Sequence, residues 1–242
     1  MFHKKKHHIF ISCTPKSGST YLLRILEQLL GYEVRIFIAA FDRTEQDIFE
    51  PKIMNNLTIN TVTHQHTRCT DNNIRLLKKH DIKPVILTRN IFDSVISMRN
   101  HMLQEPENSW WPMGYIDHNF YELPITKQYD FVIDLILPWY LNFYVSWERY
   151  ESKEQVLWIT YEELFADKTG TLKRILDYYG ISKKITEKGL DKAETNIQGQ
   201  TRKTKVEISE KAIDLSEQQI ARIISLTNYY KDINFDRIGI KS

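Results

Sequence analysis

The segment from Ile9 to Leu30, IFISCTPKSGSTYLLRILEQLL, narrows the possible folds more than any other part of this 242-residue chain. Ile9, Phe10 and Ile11 make the apolar run of a short buried strand, Pro15 and Gly18 punctuate a tight turn, and Leu22, Leu23, Leu26 and Leu30 resume at helical spacing. A strand that feeds a helix through such a turn aims the unpaired N–H groups of the helix N-terminus into the loop. The helix dipole adds roughly half a positive charge there, so an anion is the natural occupant. Lys16, Ser17, Ser19 and Thr20 surround the same point with an ammonium and three hydroxyls.

A nucleoside-triphosphate loop ends in Gly-Lys-Ser/Thr after a longer glycine-rich stretch, which lets a hydroxyl hold magnesium. Here Lys16 precedes Gly18 and the loop is shorter. The run Pro15-Lys16-Ser17-Gly18-Ser19-Thr20-Tyr21 instead resembles the 5′-phosphosulfate loop of the sulfotransferases that use 3′-phosphoadenosine 5′-phosphosulfate (PAPS), whose pattern is Pro-Lys-Ser-Gly-Thr-Thr-Trp. Ser19 and Tyr21 depart from it, but Ser keeps the hydroxyl and Tyr keeps an aromatic ring. The resemblance implies that Lys16, Ser17, Gly18, Ser19, Thr20 and Tyr21 bind the donor.

A second motif follows a second apolar strand, Lys83 to Thr88 (KPVILT), as Arg89-Asn90-Ile91-Phe92-Asp93. It is similar to the family's 3′-phosphate signature, an Arg-Asn-Pro-x-Asp turn with a Ser eight residues beyond the Arg. Ser97 stands at that offset from Arg89, a little over two helical turns on. By this resemblance Arg89 supplies paired donors to the phosphate and Ser97 a hydroxyl. Ile91 replaces the usual Pro, which affects the rigidity of the turn more than its chemistry.

Between the motifs lies Asn60 to Arg68, NTVTHQHTR, a β-branched run that ends in histidines. The family places its catalytic base on a strand end at this point. His64 follows Thr63, as the family base commonly follows a Thr, whereas His66 has the closer spacing to Arg89. Strand alternation puts both on one face and does not separate them. His66 is the favoured base, with His64 beside it or in the reverse role. A metal reading of His-x-His lacks a third and fourth ligand at suitable spacing. His3, His7 and His8 sit among Lys4, Lys5 and Lys6 and read as a solvated basic terminus.

Late in the chain, Val156 to Tyr161 reads as a strand that leads into Glu162-Glu163-Leu164, similar to the family's Tyr-Glu-Asp, where the Tyr lies near the adenine. That makes Tyr161 a candidate for the same contact, beside the alternative of a half-buried core aromatic. The family's closing Arg-Lys-Gly is matched only by Arg202-Lys203 without the glycine, which are candidates for the 3′-phosphate or members of a plain solvated loop.

The alternation of strands near Ile9–Cys13, Val34–Ile38, Thr58–His64, Pro84–Thr88 and Val156–Ile159 with helices near Ser19–Leu30, Asn72–His80, Ile91–Gln104 and Thr169–Tyr179 predicts an α/β fold. The expected form is a three-layer α/β/α domain with a central parallel sheet over residues 1–242 and ligands at the carboxyl ends of the strands, and the resemblance implies the P-loop-like architecture of sulfotransferases. Glu105 to Pro124 reads as a long loop whose Trp110, Trp111 and Tyr115 either line an acceptor pocket or pack on the next helix, expected over Thr126 to Glu151 with a kink at Pro138. Lys plus Arg total 33 against 31 for Asp plus Glu, which leaves no basic excess of the kind a nucleic-acid binder carries. Two cysteines suggest no disulfide framework, so a reducing cytoplasm is expected, and the short apolar run after the basic N-terminus is too brief for a membrane span.

Together these readings imply an enzyme that passes a sulfuryl group from PAPS to a hydroxyl or amine of a small-molecule or glycan acceptor, releases adenosine 3′,5′-bisphosphate and uses no metal. His66 or His64 would take the acceptor proton and Lys16 would stabilise the leaving phosphate. Two other classes stay open on sequence: a P-loop nucleotide kinase, and a binder of PAPS or the bisphosphate without turnover.

Overall fold

The computed structural model describes residues 6–40, 45–104, 109–111, 114–116, 119–151, 156–200 and 215–241. In chain order its elements are β1 (His8–Cys13), α1 (Ser19–Leu30), β2 (Glu33–Val34), α2 (Glu50–Met54), β3 (Thr61–Gln65), α3 (Asp71–Lys79), β4 (Pro84–Thr88) and α4 (Ile91–Met102). A hairpin of β5 (Ser109–Trp111) and β6 (Gly114–Ile116) follows, then α5 (Asn119–Glu122), α6 (Ile125–Phe131), a π-helical turn (Val132–Ile136) and α7 (Leu137–Glu151). The chain continues through β7 (Leu157–Thr160), α8 (Tyr161–Ala166), α9 (Lys168–Tyr179), α10 (Glu187–Asn196), α11 (Glu217–Thr227) and a 3-10 turn (Asp236–Ile238).

Five strands form one parallel sheet in the order β2-β3-β1-β4-β7. The earliest strand is the middle one, with β3 on one side (Ile11 opposite His64) and β4 on the other (Cys13 opposite Leu87). Alternation along β1 sorts the core into two layers. Ile9, Ile11 and Cys13 join α1, α9 and α10 on one face, and Phe10 joins α3, α4 and the aromatic α6–α7 run on the other. Because helices cover both faces, all six residues of β1 are buried, which explains why it reads as a continuous apolar run rather than an alternating one.

The structure corrects three expectations. Val34–Ile38 does not extend as a strand: β2 ends at Val34, and the Phe37 N–H bonds the Gln65 side chain at 3.1 Å instead of a strand backbone. The stretch from Glu105 to Pro124 is not a structureless loop, since it holds β5, β6 and α5; the side chains of Trp110, Trp111 and Tyr115 lie outside the described residues. His8 belongs to no solvated tail, being buried in β1 with its Nδ1 2.9 Å from Thr61 Oγ1. The expected kink at Pro138 takes the form of the π-turn just upstream, where the Leu137 N–H reaches back five residues to the Val132 carbonyl.

Candidate active site

The loop between β1 and α1 is folded by turning its carbonyls into the protein. Ser17 Oγ donates to the Thr14 carbonyl at 2.6 Å, the buried Tyr140 hydroxyl donates to the Pro15 carbonyl at 3.0 Å, and Arg89 Nη1 donates to the Lys16 carbonyl at 3.3 Å. The chain then enters α1 through two left-handed residues, Lys16 at φ 63 and Gly18 at φ 82. Gly18 is required twice over, because a Cβ there would also stand 3.0 Å from the Tyr161 ring. Lys16 pays the cost of left-handed backbone for a non-glycine residue, on the order of 1–2 kcal/mol, which the three carbonyl bonds offset. With the carbonyls engaged behind the loop, the amides at the start of α1 have no intrahelical acceptor.

Of the predicted donor-binding residues, Lys16, Gly18, Thr20 and Tyr21 are partly exposed, while Ser17 and Ser19 are buried. Ser17 thus acts here through its turn. Arg89 lies at the exit of β4 with its guanidinium 4.3 Å over the Tyr161 ring, so the structure brings together two residues that are 72 positions apart. Arg89 Nε is buried without a hydrogen-bond partner among the described residues, as are the hydroxyls of Thr14 and Thr88 on the adjacent ends of β1 and β4. Unpaired buried donors at the strand ends suit a site that takes an anion. Asn90 caps α4 by accepting from the Phe92 and Asp93 amides, and its own N–H bonds Glu162 at 3.0 Å, which fixes the turn that presents Arg89. Ser97 lies on α4, partly exposed. Arg202 and Lys203 lie outside the described residues.

His66 sits just past the end of β3, half-buried. Its Nδ1 is 2.9 Å from the Cys13 carbonyl; a carbonyl only accepts, so Nδ1 carries the proton and Nε2 is left with its lone pair. Burial holds its pKa below the ordinary 6.5, partly offset by that carbonyl bond. The Gln46 side chain accepts from the His66 N–H at 2.6 Å, and Trp139 of α7 meets the imidazole edge-on at 6.3 Å. His64, on β3 itself, is also half-buried. Cys13 Sγ lies 3.6 Å from His66 Nδ1, and burial pushes the thiol up to about 12 despite hydrogen bonds to Ser19 and the Gln65 carbonyl, so it stays neutral beside the imidazole.

Sequence reading missed Tyr140, Gln46 and the pair Glu194–Lys168, which holds the Tyr21 hydroxyl at 2.5 Å from Glu194. Tyr140 lies within an aromatic stripe that reads as core, and only the hydroxyl on an otherwise buried ring hints at a polar partner. Among the described residues no group of three or more His, Cys, Asp or Glu side chains is placed to hold a metal ion, and no helix is long and apolar enough to cross a membrane.

Comparison with known proteins bears on the fold and the family. Among solved structures, the mouse sulfotransferase SULT7A1 complexed with PAP superposes with a TM-score of 0.64 at 16% identity, covering 98% of this chain and 88% of that one. The sulfotransferase STF1 of Mycobacterium tuberculosis gives 0.50 at 12% identity over 80% of this chain and 72% of its own. Retinol dehydratase in complex with retinol and PAP gives 0.50 at 13% identity over 91% and 71%. At such identities the likeness is one of fold. No curated protein matches the chain by sequence. The sequence profile of the sulfotransferase domain, however, matches residues 6–225, and the chain therefore belongs to the sulfotransferase family.

Proposed function

We propose that this protein is a PAPS-dependent sulfotransferase whose donor site is the β1–α1 loop with Arg89 and whose base is His66, the whole chain acting as one catalytic domain. The observation that carries the donor site is the wiring of the loop: Thr14, Pro15 and Lys16 each give their carbonyl to a side chain, which turns acceptor oxygens away from the loop, while the amides at the start of α1 are unpaired by helix geometry and suit an anion. Lys16 adds the charge suited to a leaving phosphate, and Ser19 and Thr20 add hydroxyls. Arg89, with a buried Nε in need of an acceptor beside the loop, fits the 3′-phosphate that the Arg-Asn motif implies. The motif resemblance adds Ser97 to that 3′-phosphate site and offers Arg202 and Lys203 as candidates for it, and Tyr161 supplies an aromatic surface beside Arg89.

PAPS supplies the activated sulfuryl group. His66 Nε2 takes the proton of the acceptor hydroxyl or amine as the new O–S or N–S bond forms. The bond between sulfur and the bridging oxygen breaks, its electron pair stays on that oxygen, and Lys16 balances the charge that develops there. The Cys13 carbonyl holds the resting His66 proton on Nδ1, so the lone pair that takes the acceptor proton is on Nε2. His64 is the second candidate base, on the strength of the Thr that precedes it. Both cysteines are free, which fits a reducing cytoplasm, and the acceptor is a small molecule or glycan.

Calorimetric titration with adenosine 3′,5′-bisphosphate, beside AMP and ATP with magnesium, tests the donor site. The expected outcome is binding of the bisphosphate alone, weakened roughly ten- to hundredfold by Arg89→Ala through loss of charge-assisted bonds. Binding only of ATP with magnesium would return the kinase reading to the front.

A further inference from the structure

Tyr21 stands where the family pattern has Trp, and in this protein its hydroxyl is tied down. It donates to Glu194 Oε1 at 2.5 Å, and the same carboxylate oxygen takes Lys168 Nζ at 2.6 Å. The three residues come from α1, α9 and α10, and Tyr21 and Glu194 are 173 positions apart. Lys168 also stands 5.7 Å over the Tyr21 ring. From there a row of rings leads back to the phosphate loop: Tyr21 to Phe165 at 5.0 Å, Phe165 to Tyr161 at 4.4 Å, and Tyr161 against Gly18 and under Arg89. Tyr21 and Tyr161 are partly exposed, and Phe165 is 38% exposed, so the row presents an open aromatic face beside the loop.

As a stabilising device the pair is weak. Lys168 and Glu194 are each about a third exposed, at 33% and 31%, and ion pairs so placed contribute little. Its effect on Tyr21 is larger in kind. A Tyr on the first turn of a helix otherwise chooses among rotamers, and a phenol bonded to a carboxylate that is itself held by an ammonium has one orientation. Burial, then the bond to Glu194 and its charge, raise the Tyr21 pKa, which keeps the phenol a donor at all ordinary pH values.

Resting on the donor reading above, we propose that Glu194 and Lys168 are positioning residues that lock the Tyr21 ring as part of the face against which the donor's purine base lies. They touch neither phosphate nor sulfuryl group. Their contribution should therefore appear only for ligands that carry a base.

The test compares calorimetric affinities for adenosine 3′,5′-bisphosphate and for ribose 3,5-bisphosphate, which lacks the base, on wild type, Glu194→Ala, Glu194→Gln, Tyr21→Phe and the Glu194→Ala/Tyr21→Phe double variant. Glu194→Ala and Tyr21→Phe should each weaken the adenosine ligand roughly five- to twentyfold, from loss of one charge-assisted bond, and leave the ribose ligand within about twofold. The double variant should lose no more than either single one, and Glu194→Gln, which keeps an acceptor, should recover most of the affinity. Equal losses for both ligands would show a mere staple between helices, and additive losses in the double variant would show that Glu194 does not act through Tyr21; either overturns the proposal. Tyr21→Phe keeps the test decisive should Glu194→Ala fold poorly. A wild type that binds neither bisphosphate sinks the donor reading itself and this inference with it, whereas tight wild-type binding untouched by the variants sinks this inference alone.

Discussion

At His66 a single hydrogen bond fixes the tautomer of an imidazole. Because the Cys13 carbonyl holds its Nδ1 proton, His66→Ala is expected to lower the sulfuryl-transfer rate by roughly 10²- to 10⁴-fold, the usual worth of a general base, with His64→Ala costing less. A larger loss in the His64 variant, measured at saturating donor and acceptor, would reverse the assignment. The same imidazole has a lowered pKa, so its neutral, base-competent form persists below the ordinary 6.5. The acid limb of the rate against pH should therefore fall below pH 6.5, and a limb centred above that value would contradict a half-buried base. Stability moves in the same direction: a histidine with a depressed folded pKa contributes fully above its unfolded pKa and loses that contribution as pH falls from there through the lower folded value. None of this was legible from His64 and His66 themselves, which share a strand face. The distinction depends on the Cys13 carbonyl, 53 positions away.

At the level of elements, sequence patterns served best where local chemistry decides. The strand of β4 and the helix of α1 follow directly from their apolar runs and from the left-handed Gly18 and Gly31 at the two ends of α1. They served worst where a side chain replaces a backbone partner. Gln65 bonds the Phe37 N–H and so ends β2 early, an event invisible in the apolar run of Ile36, Phe37 and Ile38. Helix α8 is the element that carries Tyr161 and Phe165, and it begins with a full capping box between Thr160 and Glu163. Thr160→Ala should cost about 1 kcal/mol of stability by denaturant unfolding. It should also weaken bisphosphate binding, because the first turn it frays holds Tyr161 under Arg89; unchanged affinity would detach α8 from the site.

Across the whole molecule, a distant segment closes on α7 and on the turn after β4. The C-terminal turn packs Phe235 on Tyr144, pairs Arg237 with Glu148 at 2.7 Å, and brings Gly239 so near the α4 cap that a Cβ would meet Asn90 Nδ2 at 2.3 Å. Gly239 has φ 87, so Gly239→Ala is expected to cost at least about 1 kcal/mol and to displace the turn that presents Arg89. A variant with native affinity for the bisphosphate would show that the tail merely covers Asn90. The order of the sheet has a consequence in the life of the chain as it is made. The central strand, β1, emerges first, yet its partners in β3 lie 53 positions later, as Ser12 opposite Gln65 shows, and β4 comes later still. At a synthesis rate of about 5–20 residues per second, Ile9, Phe10 and Ile11 wait several seconds with both edges unpaired. The strand that feeds the β1–α1 loop is thus exposed to mispairing until the later strands are made.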